Sequence, residues 1–310
     1  MRNFLRNSIV LFVILCFCII SCQSNKKKPD LIEKATSLQK EIVPNLDKEE
    51  IKVAVEELLF AAGNYNIEDL DTMVSDKAML GISSLKDGIW SNSEIAIDEF
   101  FASVKKTERS PYCEIPKDYD IIITEGQLAL VRADCILYRF GIAQTREINH
   151  FTLMKENEKW RFLNISWTKY EVPEEQKEFD LDIFGRSYAQ AWCSKRPNFV
   201  ASYFTANGSL MVNNGEPATG TKAITNVAKG FMDTFPDMVV SMDSLITKLG
   251  KSRFYWTLTG TNDVPNGTGS KVKISGFEEW TLNEDGLIQE SKGHFDTNEY
   301  KRQLEFGIDN

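Results

Sequence analysis

The sequence predicts an α+β fold built twice in tandem, each copy a curved antiparallel sheet wrapped around helices that precede it. Amphipathic helices come before a run of strands twice over and in the same order, and the strands keep a two-residue alternation of bulky and polar side chains. A charged stretch containing Pro173 separates the copies. The last hairpin is the clearest element: residues 276–282 and 287–295 alternate, and Asn283, Glu284, Asp285 and Gly286 supply the turn between them.

The chain opens with an export address. Arg2 and Arg6 precede an apolar run over residues 8–20, which has the charge pattern and length of a secretory signal and is short for a membrane span. Residues 19–22, Ile-Ile-Ser-Cys, resemble the bacterial lipobox, whose cysteine is lipidated after cleavage before it. The resemblance implies a signal peptide over residues 1–22, lipid on Cys22 and anchoring in the bacterial cell envelope. An uncleaved membrane anchor is the alternative, and Gln23 after the cysteine points to the outer membrane. Residues 23–47 are polar and charged, as suits a tether, with a short helix expected over residues 30–39 before Pro44.

The first copy spans residues 48–171. Ile51, Val55, Leu58 and Leu59 share one face of a helix over residues 49–62, which Asn64 and Asn66 end. Helices over 67–74 and 93–105 follow, then strands over 119–124, 128–139, 147–155 and 159–168. Residues 172–178 are the linker, and the second copy spans 179–308. It repeats the order with helices over 183–193, 198–204 and 222–235 and strands over 239–246, 253–261, 273–283 and 286–296. The short linker favours an intramolecular pseudo-dimer of the two copies, the alternative being a homodimer of chains.

Composition narrows the partners. A formal charge of −9 without a basic, aromatic-rich stripe argues against nucleic acid. The two histidines are His150 and His294, and neither CxxC nor HExxH occurs, so no metal site and no cofactor are expected. Without the cysteines of the signal and lipobox, Cys113, Cys135 and Cys193 remain, and a Cys113–Cys135 bridge stands against buried free thiols.

Several segments of the second copy carry a family resemblance. Phe-Pro-Asp-Met at 235–238, Trp-Thr-Leu-Thr-Gly-Thr at 256–261, the strand from Gly276 to Trp280, Asp-Gly-Leu-Ile at 285–288, Gly-His-Phe-Asp at 293–296 and Gln303 with Leu304 together resemble the SnoaL-like polyketide cyclases of the nuclear transport factor 2-like superfamily. The resemblance covers most of residues 183–307. It implies cone-shaped sheets, and a fold that hosts isomerases, cyclases, dehydratases and binding modules alike. It also places Asp296 where such cyclases carry the general acid and base. The family's Gly-Thr-His stands here as Gly260, Thr261 and Asn262, a departure from the cyclase pattern.

Candidate chemistry is read from the strand alternation. Glu290, Lys292, His294 and Asp296 form one row of the last strand, facing either a cavity or water. If enclosed, Asp296 with His294 is an acid–base pair, because burial raises a carboxyl pKa; Asp296 is equally placed as the N-cap of the helix that follows. Tyr188, Trp192, Tyr203, Asn213, Phe231, Trp256 and Trp280 are candidate ligand-binding residues, with core packing as the alternative for the aromatic ones. In the first copy, Trp167 and Lys169 are expected to stand in place of His294 and Asp296, with His150 near the position of Glu279, so that copy reads as degenerate. The readings that follow are a lipid-anchored binder of a small, largely apolar molecule, a cofactor-free isomerase, cyclase or dehydratase using Asp296 with His294, or a non-catalytic protein-interaction module.

Overall fold

The computed structural model describes residues 28–105, 110–248, 250–263 and 267–308, with side chains from Leu46 onward. The expected signal, the expected lipobox with Cys22 and residues 23–27 of the expected tether lie outside the described residues. Residues 1–49 and 50–310 separate as two compact units. From the first comes only the beginning of helix α1 (Lys28–Gly63), which runs unbroken through Pro44 where a stop was expected. Within the described residues no helix is long and apolar enough to cross a membrane.

The second unit holds two α+β halves, each with a six-stranded sheet. The first half comprises the end of α1, α2 (Ile67–Met73), β1 (Val74–Lys86), β2 (Ile89–Ala96), α3 (Ile97–Val104), β3 (Cys113–Thr124), β4 (Leu128–Arg139), β5 (Ile142–Glu156) and β6 (Lys159–Glu171). The second comprises α4 (Leu181–Trp192), α5 (Pro197–Ala201), β7 (Phe204–Val212), β8 (Ala218–Thr219), α6 (Thr221–Thr234), β9 (Val239–Lys248), β10 (Lys251–Thr261), β11 (Lys271–Leu282), β12 (Ile288–Phe295) and α7 (Thr297–Phe306). The strand orders are β2-β1-β6-β5-β4-β3 and β8-β7-β12-β11-β10-β9, so the tandem repeat is complete.

Both sheets are mixed where fully antiparallel ones were expected. β1 pairs parallel with β6, and β7 parallel with β12. Local alternation did not reveal β1 and β7, because their partners lie at the far end of each half. Ser93, expected to begin a helix, belongs instead to β2, whose hairpin with β1 turns at Asp87 and Gly88, both at positive φ.

Amphipathic spacing does place the helices. Ile51, Val55, Leu58 and Leu59 are all buried in the first core with Phe151, Leu153 and Phe162. Each such side chain contributes about 1.5–3 kcal/mol when fully removed from water. The second core is built from Phe184, Tyr188, Tyr203, Phe254 and Trp280, and it takes in Tyr65, Phe100, Tyr112 and Phe140 from the first half. Phe140 meets the ring of Tyr203 edge-on at 5.0 Å. Arg196 donates to the backbone oxygen of Tyr65 at 2.9 Å and lies over the rings of Tyr65 and Phe199, and Gln190 donates to the backbone oxygens of Phe60 and Tyr112. Cys113, Cys135 and Cys193 are free thiols.

Candidate functional site

The aromatic residues nominated from the sequence are brought together, but as core. Tyr188, Tyr203 and Trp280 are fully buried, Trp192 and Trp256 nearly so, and Phe231 is half-buried against Trp192. Trp280 stacks on Phe254 at 4.7 Å and meets Tyr188 edge-on at 5.2 Å, and Tyr188 in turn meets Tyr203 at 5.4 Å. None of these residues borders either of the two surface depressions described below. In the structure the aromatic ones follow the core-packing alternative, ring edges and faces meeting one another.

Inside this packing lies a carboxyl group that sequence reasoning missed. Val272, Ile274, Gly276, Glu278 and Trp280 share the inward row of β11, so Glu278 points into the second core. Tyr188 Oη donates to its Oε2 at 3.1 Å, Trp280 Nε1 at 2.9 Å and Ser291 Oγ at 2.6 Å. All three donors are neutral. Burial pushes the Glu278 carboxyl above its ordinary range, and the hydrogen bonds from Ser291, Trp280 and Tyr188 offset that only in part. The indole N–H of buried Trp256 has no hydrogen-bond partner among the described residues.

The row of Glu290, Lys292 and His294 instead faces outward. The complementary row is the buried one, with Ser291 against Glu278 and Phe295 against the rings of Trp256 and Tyr300. Lys292 pairs with Glu290 at 2.9 Å, and His294 lies against the ring of Phe277 at 4.9 Å. Asp296 is exposed and caps α7, its Oδ1 accepting from the amides of Asn298 and Glu299 at 2.9 and 3.0 Å. Of the two alternatives for Asp296 the structure shows the helix cap, beside a histidine on the outward row.

Asn213, His294 and Asp296 nevertheless meet in a solvent-open cleft of about 490 Å³, with Phe277 and Phe295. Asn213, at φ 51°, is locked there: its Oδ1 accepts from the Phe295 amide and its Nδ2 donates to Thr297 Oγ1. A depression of about 470 Å³ lies on the outer face of the first sheet, bordered by His150, Gly81 and Ser166. No grouping of His, Cys, Asp and Glu suited to a metal ion occurs among the described residues.

The two registers superimpose through a shared bulge: Val74 to Phe162 and Met79 to Asn164 in the first half, Phe204 to Ile288 and Ser209 to Glu290 in the second. His150 then matches Glu279, as expected. Thr168 and Tyr170, not Trp167 and Lys169, match His294 and Asp296, a one-residue correction to the sequence alignment. Where the second half has Glu278, Trp280 and Ser291, the first has Asn149, Phe151 and Ile165. The available signal was a lone carboxylate in the apolar row of β11.

The first half has two acids of its own, Glu147 buried and Glu114 half-buried. Glu114 Oε1 accepts from Asn149 at 2.6 Å, and Glu147 Oε1 from Thr145 at 2.8 Å. Burial, and secondarily the neighbouring Glu147, push Glu114 up to about 8, and burial raises Glu147 as well.

The sequence profile of the SnoaL-like polyketide cyclase family matches residues 183–304, within the second half. No curated protein matches the chain. Similar solved structures include a putative SnoaL-like polyketide cyclase from Jannaschia, with 15% identity over 36% of this chain and 80% of that one and a TM-score of 0.32. A protein of ketosteroid isomerase-like fold from Catenulispora acidiphila has 14% identity over 38% and 88%, with a TM-score of 0.34. A putative polyketide cyclase from Bacillus cereus has 18% identity over 39% and 78%, with a TM-score of 0.33.

Proposed function

We propose that the protein is a lipid-anchored binding module of the bacterial cell envelope whose second half takes a small molecule in the cleft of Asn213, Phe277, His294, Phe295 and Asp296. The cleft itself carries this reading: about 490 Å³ open to solvent suits a small ligand, and three chain segments converge on it. The Phe277 and His294 rings offer an apolar wall, while the ring nitrogens of His294 and Asp296 Oδ2 offer a polar end. Asp296 serves as an anchor here, since its other oxygen is committed to the α7 amides. The anchor on Cys22 rests on the lipobox resemblance alone, and labelling with radioactive palmitate, abolished by Cys22→Ser, tests it.

The ligand reading is tested by mass spectrometry of small molecules that co-purify with the full chain. Phe277→Ala and His294→Ala should each weaken binding of the recovered molecule about tenfold. Full affinity in both variants would remove the cleft as the site.

A second reading is a cofactor-free isomerase, cyclase or dehydratase using Asp296 with His294, which both line the open cleft, whereas Glu278 is sealed inside the core. Turnover of the recovered molecule lost in Asp296→Asn with binding retained would support it, and turnover unchanged in that variant would remove it.

A further inference from the structure

The first half carries a second trough, and its lining differs in kind from the cleft of the second half. Strand register fixes three rows on the outer face of the first sheet. Glu94, Gly81, Ser166 and His150 are successive partners across β2, β1, β6 and β5. Two residues along each strand come Asn92, Ser83, Thr168 and Ile148, and two further on come Trp90, Leu85, Tyr170 and Arg146. Ile148 apart, the first two rows border the depression of about 470 Å³, whose floor Gly81 leaves bare of a side chain.

The side chains of Ser83, Asn92, Glu94, His150, Ser166 and Thr168 take part in no hydrogen bond or ion pair among the described residues. Three hydroxyls, an amide, a carboxylate and an imidazole are thus left to solvent on one patch. The third row forms an aromatic wall, where Trp90, 48% exposed, meets the ring of Tyr170 edge-on at 5.7 Å. Strand steps of about 4.8 Å and row steps of about 6.6 Å make the patch roughly 14 by 13 Å, the footprint of two or three sugar rings.

We propose that this outer face of the first half binds an uncharged oligosaccharide, with the Trp90 and Tyr170 wall against the sugar C–H faces and the hydroxyl, amide and carboxylate rows on the sugar hydroxyls. Uncommitted neutral donors and acceptors in alternation match a polyol, which presents both at every carbon. An exposed indole adds a large apolar face at low entropic cost. An anionic polysaccharide fits poorly, because Glu94 stands in the trough, Arg146 beside Tyr170 is already paired with Asp134, and the whole chain carries −9. This site is independent of the small-molecule cleft in the second half and stands or falls without it.

The test is calorimetric titration of the full chain with chitotetraose, cellotetraose and maltotetraose, with polygalacturonate as the anionic arm. At least one neutral tetrasaccharide should bind saturably, with Kd below about 1 mM. Trp90→Ala should weaken it about tenfold or more, and the paired change Ser83→Ala with Thr168→Val should do so without touching the aromatic wall. The proposal is overturned if no neutral oligomer saturates at concentrations up to about 10 mM. It is equally overturned if both variants bind as the parent does, or if polygalacturonate binds as tightly as the neutral oligomers.

Discussion

Tyr188 Oη lies 3.1 Å from Glu278 Oε2, a hydrogen bond between residues 90 apart that ties helix α4 to the middle of the second sheet. With Trp280 and Ser291 on the same oxygen, three buried donors depend on one carboxyl. Glu278→Leu would leave all three unpaired and should cost about 3 kcal/mol or more, whereas Glu278→Gln keeps an acceptor and should cost far less. Urea denaturation followed by tryptophan fluorescence separates the two. Equal losses would mean the donors find other partners.

The acids raised by burial set the direction of pH dependence. Glu114 has a folded-state pKa of about 8 against an ordinary value of 4.5, so between those values the unfolded chain releases a proton that the fold retains. Its contribution is therefore fully present below 4.5, declines as pH rises and levels off above about 8. Glu147 and Glu278, also raised, act in the same sense. Glu114→Gln should flatten the decline measured by denaturation across this window. An unchanged slope would show that Glu114 ionises freely in the fold.

Asp296 provides a clean test of its capping role. Asp296→Ala should destabilise by about 1 kcal/mol, while Asp296→Asn, which keeps an acceptor for the Asn298 and Glu299 amides, should lie within a few tenths of the parent. Thermal unfolding distinguishes them. A loss with Asn as large as with Ala would point to the charge and away from the cap.

Gly276 faces the side chain of Trp256, and a β-carbon there would run into the indole and the His294 carbonyl. Gly276→Ala should therefore cost about 1–3 kcal/mol by overpacking. Gly230→Ala, where a β-carbon meets open space on helix α6, should be neutral or slightly stabilising in the same assay.

The helices and most strands were legible because amphipathic spacing is local: β4 ends where alternation ends, at Leu128 and Arg139. The parallel neighbours β1 and β7 were not, because nothing in Val74–Lys86 announces a partner that appears only after residue 158. The candidate site suffered from the same two-residue period that revealed its strand. Alternation groups His294 with Lys292 and Ser291 with Phe295, but which row is inside depends on what packs above it. Here Glu278 and Trp256 decide, and both lie on other strands. The resemblance located the second half correctly, residues 183–304 against an expected 183–307. It drew attention to Asp296 and away from the acid four residues before Leu282.

Each sheet is completed by a parallel contact between the first and last strands of its own half, β1 with β6 and β7 with β12. A half consequently cannot close until its final strand has left the ribosome, and the slow step is a long-range encounter. For the first half that moment arrives with Glu171, before any of β7–β12 exists. The order of synthesis thus allows the earlier half to present Phe140, Tyr65 and Tyr112 as a finished template on which the later half assembles.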